Sequence, residues 1–426
     1  MTSGVLLALT GPEEAELVSL VDAPGTGLQV VRRCADVPEV LAAGLAGLGS
    51  LAVLSADLPG LDRPVLRQLA GSGVRTVLVA DEDDAERCRA LGAAAVTWTG
   101  AGAQEWLRVV AELAGSEPVE APAALRPAPG GETPESSSGR IVVVWGPRGS
   151  PGRTTVAVTL AHELAERAEV LLVDADTEAP SVTQVLGVLD ETAGIAAAAR
   201  LAGDGRLDAD ALLALTRRLE RGPRLLTGLT RADRWRELPA ASLDVVWERA
   251  REVAEWTVVD VAPGIDDPSG GFGLAPRRHQ AALSALAAGD VVLVVGAAEP
   301  VGMHRLVMAL QELAESGVCA PHAERVVVVN RVRGSATGAS PEQAVVESLA
   351  RFAGVSAPLL VPDDRAALDR AVLRGATLAE VAPASRARTA LRELVDRLAG
   401  PAVEGRRRSR GRRPARFTRT SRTGAG

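Results

Sequence analysis

The chain has 426 residues, enough for two or three domains, and a formal net charge of −7. Its 47 basic residues are all arginines, and its three cysteines are too far apart for a metal site or a disulfide framework. No apolar run approaches the roughly 18 residues of a membrane span, and the first residues lack a basic signal-peptide region. These features exclude a disulfide-rich secreted domain and a transmembrane protein, and they predict a cytoplasmic one.

Residues 1–115 alternate short apolar strands with helical patterns. Strands are predicted at residues 5–9, 28–31, 51–54, 74–80 and 94–96, and helices at residues 12–21, 37–48, 63–70, 84–91 and 104–114. This alternation predicts an α/β domain whose parallel sheet is covered by helices on both faces.

Residues 116–139 are rich in Pro, Gly, Ser and Glu without periodicity, which predicts a flexible linker. A second and longer α/β series follows at 140–400. Its strands are predicted at residues 141–145, 170–173, 224–227, 257–261, 291–295, 326–329 and 358–361. Their nearly continuous Val and Leu content is typical of central parallel strands.

Residues 401–426 contain nine arginines and one glutamate, so the rest of the chain carries a net charge of about −15. Such a segment cannot bury a core, and we expect a disordered tail. An arginine-rich tail can also contact DNA or an anionic lipid surface weakly through its charge.

A glycine-rich stretch joins the first strand of the second domain to a helical pattern and reads Gly146-Pro147-Arg148-Gly149-Ser150-Pro151-Gly152-Arg153-Thr154-Thr155. In this strand–loop–helix context, successive backbone N–H groups and the helix N-terminus would hold phosphate oxygens. Thr154 would offer its hydroxyl to Mg²⁺, and Arg153 would meet the phosphates. Pro151 has no N–H, so one phosphate donor is missing.

Polar residues end three other predicted strands of this domain. Asp174 and Asp176 close one strand, Asp260 closes another in the manner of a Walker B acid, and Asn330, the only asparagine of the chain, closes a third. Each aspartate alone would be as well explained by capping of the next helix. Because parallel sheets bind ligands at the carboxyl ends of their strands, all four together with the loop favour an adenine-nucleotide site.

The segment 140–400 resembles the MinD/ParA family of P-loop ATPases, and Arg148 to Thr155 align with the family's deviant Walker A motif. Arg148 falls at the signature lysine that reaches the partner's phosphates in a dimer, and Arg153 falls at the Walker lysine. The resemblance implies ATP and Mg²⁺ as ligands. It implies catalytic roles for Asp176, Arg153 and Arg148, cofactor contacts at Gly149, Ser150, Gly152, Arg153, Thr154, Thr155, Asn330, Pro362 and Asp363, and metal contacts at Thr154, Asp174 and Asp260.

Both motif lysines are arginines here, and Pro147 replaces the first loop glycine. Arginine stays charged and bridges phosphate oxygens, but its rigid fork differs from an ammonium group. The resemblance therefore supports nucleotide binding more strongly than hydrolysis, and a weak ATPase remains an open alternative.

The first domain resembles a response-regulator receiver, a flavodoxin-like fold, in its strand–helix order and in Leu58-Pro59-Gly60. Ser55 stands at the phosphoacceptor position, Asp57 is expected beyond the strand end, and the paired acids after the first strand are missing. A pseudo-receiver used for docking is therefore favoured over a phosphorylated switch.

A pseudo-receiver followed by a MinD-like P-loop NTPase domain resembles the CpaE/TadZ layout, including the actinobacterial proteins called CpaE-like or septum site-determining. This resemblance implies a nucleotide-dependent homodimer that positions a septum or a Tad-type pilus or secretion machine, peripherally at the inner membrane face through partners. Two alternatives stay open: a pseudo-ATPase scaffold that docks partners without turnover, and a ParA-like DNA-partitioning ATPase.

Overall fold

The computed structural model describes residues 2–11, 13–115, 139–189, 192–220, 222–266 and 277–400. The predicted linker at 116–139, apart from its last residue, and the predicted tail at 401–426 lie outside them. Within the described residues, no helix combines the length and the apolar character needed to cross a membrane.

The first α/β unit has a five-stranded parallel sheet in the order β2-β1-β3-β4-β5. Its elements are β1 (Ser3–Ala8), α1 (Glu13–Val21), β2 (Leu28–Arg33), α2 (Val37–Leu45), β3 (Leu51–Ser55), α3 (Arg63–Gly71), β4 (Arg75–Ala80), α4 (Ala85–Leu91), β5 (Ala95–Trp98) and α5 (Ala103–Gly115). This strand order is that of flavodoxin-like folds, as expected from the sequence.

Local signals explain how these helices start. Asp36 and Asp62 precede α2 and α3, and each side chain accepts a hydrogen bond from the backbone N–H three residues later, at 2.9 Å. A proline in the first turn of each helix needs no hydrogen-bond acceptor there. Helices α1 and α5 cover one face of the sheet, and α2, α3 and α4 cover the other.

The second unit has eight strands in the order β13-β12-β11-β6-β10-β7-β9-β8, all parallel except β8, which is antiparallel to β9. The strands are β6 (Arg140–Trp145), β7 (Val170–Ala175), β8 (Arg217–Arg218), β9 (Arg224–Leu226), β10 (Trp256–Val261), β11 (Val291–Ala297), β12 (Glu324–Val332) and β13 (Leu359–Pro362). The predicted mostly parallel, helix-covered sheet is confirmed.

Helices cover both faces of this sheet and create two cores. They are α6 (Arg153–Ala165), α7 (Val182–Val185), α8 (Gly194–Gly203), α9 (Ala209–Leu215), α10 (Ala240–Val253), α11 (Gln280–Ala288), α12 (Pro300–Ser316), α13 (Gly334–Thr337), α14 (Pro341–Ala353), α15 (Arg365–Arg374), α16 (Leu378–Val381) and α17 (Arg386–Ala399). Helices α6 and α15–α17 pack on one face, and α8, α10, α11, α12 and α14 pack on the other. Because β6 is a central strand of this sheet, the loop that follows it lies near the middle of the carboxyl edge.

The two units touch through α3 of the first and α8 and α10 of the second. The Arg63 guanidinium donates from Nε to the Ala241 carbonyl at 3.1 Å and from Nη1 to the Ala90 carbonyl at 2.7 Å. Arg67 forms an ion pair with Asp244.

Candidate functional site

The loop between β6 and α6 has a backbone conformation that depends on its glycines. Gly149 and Gly152 have φ angles of 75° and 94°, in the left-handed region that side chains rarely adopt. A Cβ at Gly146 would overlap the Val295 carbonyl of the neighbouring strand. The Ser150 N–H donates to the Pro147 carbonyl at 3.0 Å and closes the turn.

The loop ends in the first turn of α6, whose N–H groups have no acceptor inside the helix. Those of Arg153, Thr154 and Thr155 are the natural donors for an anion at a helix N-terminus. Because Ser150 donates within the loop and Pro151 has no N–H, the N–H groups available to an anion lie mainly at the helix end of the loop.

Asn330, at the carboxyl end of β12, holds this loop in place. Its Nδ2 donates to the Pro151 carbonyl at 3.0 Å, and its Oδ1 accepts from the Arg331 N–H at 2.9 Å. Arg331 has a φ of 60°, the one positive φ among the described residues other than glycine. The adenine contact expected of Asn330 stays a prediction, and here both of its polar groups are paired within the chain.

Arg153 folds back over the loop instead of extending from it. Its Nη1 lies 3.4 Å from the Pro147 carbonyl and its Nη2 lies 3.5 Å from Asp176 Oδ2, which are long contacts for a guanidinium. Its Nε is buried and has no hydrogen-bond partner. A guanidinium held so incompletely is free to form better bonds with phosphate oxygens.

Asp174 and Asp260 are opposite each other on the neighbouring strands β7 and β10. Asp174 accepts backbone hydrogen bonds from Asp176 at 3.2 Å, and from Ser181 and Val182 at 3.0 Å each. Asp260 is fully buried, and neither of its carboxylate oxygens has a hydrogen-bond partner. Its carboxylate is therefore, with Arg153 Nε, an unsatisfied group of the site.

The surroundings of both acids disfavour negative charge. Burial raises the pKa of Asp260 to about 8, and repulsion from Asp174 adds to this rise, while the nearby Thr154 hydroxyl opposes it. Burial likewise raises the pKa of Asp174 to about 7, against the effect of its backbone hydrogen bonds. A cation beside Asp260 would relieve both the burial and the repulsion.

Asp174, Asp260 and Thr154 fit the coordination of a divalent cation that is also coordinated by the phosphate groups of a bound ligand. Thr154 lies in the first turn of α6, and its Oγ1 is 3.3 Å from Ser181 Oγ. Across the described ranges, no group of three His, Cys, Asp or Glu side chains could enclose a metal ion without help. Mg²⁺ is commonly held by one or two carboxylates together with phosphates and waters.

Asp176 is buried beside the loop and is fixed in orientation. Its Oδ1 accepts from the N–H groups of Glu178 at 2.8 Å and Ala179 at 2.9 Å, while Oδ2 faces Arg153. The carboxylate is therefore held in a fixed orientation beside Arg153, and the catalytic role that the family resemblance implies for Asp176 stays a prediction.

Arg148 points away from the loop centre, and its side chain is 61% exposed. Its Nη1 donates to Glu178 Oε2 at 3.2 Å. Glu178 Oε1 in turn lies 3.7 Å from Nδ1 of His279, whose Nε2 lies 3.3 Å from Asp266 Oδ1. The sequence gives no signal for Glu178 or His279 at this site, because no motif spacing connects them to the loop.

Pro362 is the last residue of β13 and Asp363 follows it, at the same carboxyl edge. The Asp363 N–H donates to the Val332 carbonyl at 3.0 Å, and its carboxylate lies 3.8 Å from Arg333 Nε. This places them next to the strand end that carries Asn330. Their assignment to the base-lining loop stays a prediction.

The receiver-like unit has a different polar cluster where its phosphoacceptor would be. Ser55 Oγ accepts from the Thr10 N–H at 2.8 Å, and Thr10 Oγ1 lies 3.1 Å from Ser55 Oγ and 3.2 Å from Asp57 Oδ1. Ser55 is buried, and Asp57 lies beyond the end of β3, as expected. A hydroxyl pair thus stands in place of an acidic phosphorylation site.

Comparisons with known proteins agree with this geometry. The pattern of the CbiA family, described as the CobQ/CobB/MinD/ParA nucleotide binding domain, matches residues 142–378. A ParA family ATPase from Chlorobium tepidum TLS is similar in structure, with a TM-score of 0.51 and 16% identity over 61% of this chain and 98% of that one.

MinD structures are similar at lower scores. The cell division ATPase MinD of Pyrococcus furiosus has a TM-score of 0.47 and 21% identity over 61% of this chain and 99% of its own. MinD of Pyrococcus horikoshii OT3 has a TM-score of 0.48 and 20% identity over 61% and 97%. No curated protein sequence matches the chain significantly. Because the family pattern covers more than half of its residues, the chain belongs to the CobQ/CobB/MinD/ParA nucleotide-binding domain family.

Proposed function

We propose that the loop at 146–155 binds Mg·ATP. The observation that carries this proposal is the fully buried Asp260 carboxylate, which has no partner and lies beside Thr154. An unpaired buried carboxylate is costly, and ligand sites are where such costs are retained. The incompletely bonded Arg153 provides the opposite charge for the phosphates.

In this proposal Thr154, Asp174 and Asp260 hold Mg²⁺, directly or through water, and the metal neutralises phosphate charge. The N–H groups of Gly149, Ser150, Gly152, Arg153, Thr154 and Thr155 are the candidate cradle, although Ser150 must first release Pro147. In this proposal the adenine base extends toward Asn330, Pro362 and Asp363. Asp176 orients a water molecule, and Arg148 is exposed enough to reach a second copy.

At the level of the cell, we propose a CpaE-like positioning protein that forms a nucleotide-dependent dimer. The support is the arrangement of the chain: a flavodoxin-like unit without an acidic phosphoacceptor precedes a domain of this family. Such a protein would act in the cytoplasm on a septum or on a Tad-type pilus or secretion machine, and through those partners at the membrane face.

Calorimetric titration of the full chain with Mg·ATP tests the binding proposal. We expect saturable heat for wild type and at least about tenfold weaker affinity for Arg153→Ala, because a buried charge that contacts phosphate is lost. Arg325→Ala is the matched control, since Arg325 is exposed at the opposite end of β12 from Asn330. Absence of heat in wild type would contradict the proposal.

Phosphate release measured on the same samples separates turnover from binding. Release that disappears in Asp176→Asn would make the protein an ATPase. Saturable binding without release would instead identify a pseudo-ATPase scaffold, in which nucleotide only holds the dimer together.

A further inference from the structure

Helix α8 connects the first unit to the carboxyl edge of the second sheet. It has 10 residues and is therefore roughly 15 Å long. Its N-terminus is bonded to Thr227 at that edge, and the turn after its C-terminus packs against α4 of the first unit. Because a short helix is rigid, a displacement at one of these ends also moves the other.

Thr227, which directly follows β9, fixes the N-terminal end of α8. It is buried, and its Oγ1 accepts from the Gly194 N–H at 2.9 Å and donates to the Thr192 carbonyl at 2.7 Å. Its own carbonyl accepts from the Ile195 N–H at 2.9 Å. Since these bonds join Thr227 to the first residues of α8, the strand end and the helix move together.

Gly228, the next residue, packs against the Asp174 carboxyl group of the candidate metal site. A Cβ at Gly228 would lie 2.6 Å from Asp174 Cγ and 2.9 Å from its Oδ2, so the backbone approaches this closely only because the residue is glycine. A cavity of about 380 Å³ adjoins the contact, and its lining includes Asp174, Thr192, Thr227 and Gly228. The segment after Thr227 therefore covers Asp174 and has room to shift.

The other end of α8 packs equally closely against the first unit. In the turn that follows the helix, Gly205 has a φ of 70°, and a Cβ there would lie 2.7 Å from the Arg87 carbonyl oxygen and 3.3 Å from Leu91 Cγ. These three residues are called here the α4 contact. A side chain at Gly205 would force α8 and α4 apart.

Arg87 extends this connection to the polar cluster of the first unit. Its Nη2 donates to the Ala56 carbonyl at 3.1 Å. Ala56 lies between Ser55 and Asp57, whose side chains bond to Thr10 in that cluster. A displacement that starts at the polar cluster therefore reaches α8 through α4.

We propose that the first unit regulates the affinity of the nucleotide site for metal-bound nucleotide, with α8 as the connection. This deepens the proposed Mg·ATP binding and rests on it. While α8 is held at the α4 contact, Thr227 keeps Gly228 against Asp174, and the carboxyl group stays in place for the metal. When α4 shifts, α8 follows, Asp174 loses its cover, and the metal is held less tightly. Linkage makes the effect reciprocal, so Mg·ATP also strengthens the α4 contact.

Gly205→Ala tests the connection, because the added Cβ meets the Arg87 carbonyl. Gly354→Ala is the matched control: Gly354 also follows a helix of the second unit with a φ of 67°, and nothing lies within 4 Å of its Cβ position. Both variants carry similar backbone strain, so a difference between them reports the α4 contact.

Calorimetric titration with ATP, in Mg²⁺ and in EDTA, measures the effect. We expect Gly205→Ala to weaken binding at least about fivefold in Mg²⁺ and less than about twofold in EDTA, because the connection ends at a metal-holding carboxylate. Gly354→Ala should stay within about twofold of wild type in both. Equal changes in the two variants, or none in Gly205→Ala, would overturn the coupling.

Thr227→Val breaks the same connection at its other end by removing the hydroxyl. If α8 transmits the effect, the double variant with Gly205→Ala binds Mg·ATP no more than about twofold more weakly than the weaker of the two single variants. Losses that multiply would show two independent effects and would overturn the connection.

Hydrogen exchange makes this proposal and that of nucleotide binding fail separately. The Ser181 and Val182 N–H groups donate to Asp174 Oδ2 at 3.0 Å each, so their exchange reports the position of that carboxylate without any nucleotide. They should exchange at least about fivefold faster in Gly205→Ala than in wild type or Gly354→Ala. Faster exchange without ATP heat in wild type contradicts nucleotide binding and leaves the connection in place. Wild-type ATP heat with unchanged exchange in Gly205→Ala contradicts the connection alone.

Discussion

Asp174 and Asp260 show that the candidate site is kept at a cost to the stability of the chain. They are adjacent across β7 and β10, almost fully buried, and only Asp174 has backbone donors. In the absence of a cation, two such carboxyls cannot both be charged without a penalty. The folded chain therefore holds a proton that the unfolded chain releases.

The sign of the pH dependence follows from the raised pKa values. The pKa of Asp260 rises from 3.8 to about 8 on folding, so the folded state binds more protons in that interval and stability falls as pH rises through it. Asp260→Asn removes this contribution. Urea unfolding between about pH 5 and about pH 8 should show a shallower fall for the variant, by up to about 1.4 kcal/mol per pH unit.

Asp369→Asn is the matched control, because Asp369 is exposed on α15. Its stability should follow that of wild type at each pH. Parallel pH profiles for wild type and Asp260→Asn would show that the Asp260 carboxyl is ordinary, contrary to the expectation.

Residue types at strand ends predicted much of this site. Asp174, Asp176, Asp260 and Asn330 do converge on the loop, because parallel strands bring their carboxyl ends to one edge. Sequence could not predict that Asn330 pairs with the Pro151 carbonyl. That contact depends on side-chain geometry between segments 179 positions apart.

Among the elements, α6 connects the loop at 146–155 to the last helix of the fold. Its N-terminus carries the loop, and further along it the buried Glu163 accepts from Arg388 Nε of α17 at 2.5 Å. Arg392 lies 3.3 Å from the same carboxylate. The last helix of the fold thus anchors the helix that begins at the phosphate loop.

Substitution of Arg388 should show how much this pair contributes to the free energy of unfolding. Arg388→Ala leaves Glu163 buried with only the half-exposed Arg392, and we expect a loss of about 3 kcal/mol in the free energy of unfolding. Arg397→Ala on the same helix breaks an exposed pair with Glu324 and should cost less than about 1 kcal/mol. Urea denaturation of both variants measures the difference, and equal losses would contradict a special role for the buried pair.

Element prediction succeeded where apolar runs were long and failed where they were absent. All seven strands predicted for the second sheet are present, and the Val and Leu runs of β6, β7, β10 and β11 are buried on both faces. The two-residue β8 was not predicted, since Arg217 and Arg218 carry no apolar signal. Strand order could not be derived either, because it depends on how the helices pack across each face.

At the scale of the molecule, the contact between the two units involves few residues and different kinds of bonds. Arg63 is half-buried and joins two backbone carbonyls from the two units, whereas Arg67 and Asp244 form a more exposed ion pair. Asp244 also accepts from Ser284 Oγ at 2.8 Å and so reaches α11. Sequence patterns within either unit gave no indication of this contact, because none of these residues belongs to a motif.

The physical difference between the two arginines predicts which one holds the units together. Arg63→Ala removes the hydrogen bonds of a guanidinium to the Ala241 and Ala90 carbonyls and should weaken the contact by about 2 kcal/mol, whereas Arg67→Ala removes an exposed pair and should cost under about 1 kcal/mol. Loss of the contact would let the units unfold independently. We therefore expect calorimetric scans of Arg63→Ala to separate into two transitions, with a larger radius of gyration in solution scattering.

Arg33→Ala provides the matched comparison, since Arg33 pairs with Glu14 on the first unit and takes no part in the contact. It should keep the wild-type scan and radius. If Arg67→Ala separated the transitions and Arg63→Ala did not, the exposed ion pair would dominate. The contact would then weaken with salt, because exposed charges are screened and carbonyl hydrogen bonds are not. The same scans in high salt decide between the two bonds: a contact held by Arg63 keeps its unfolding profile.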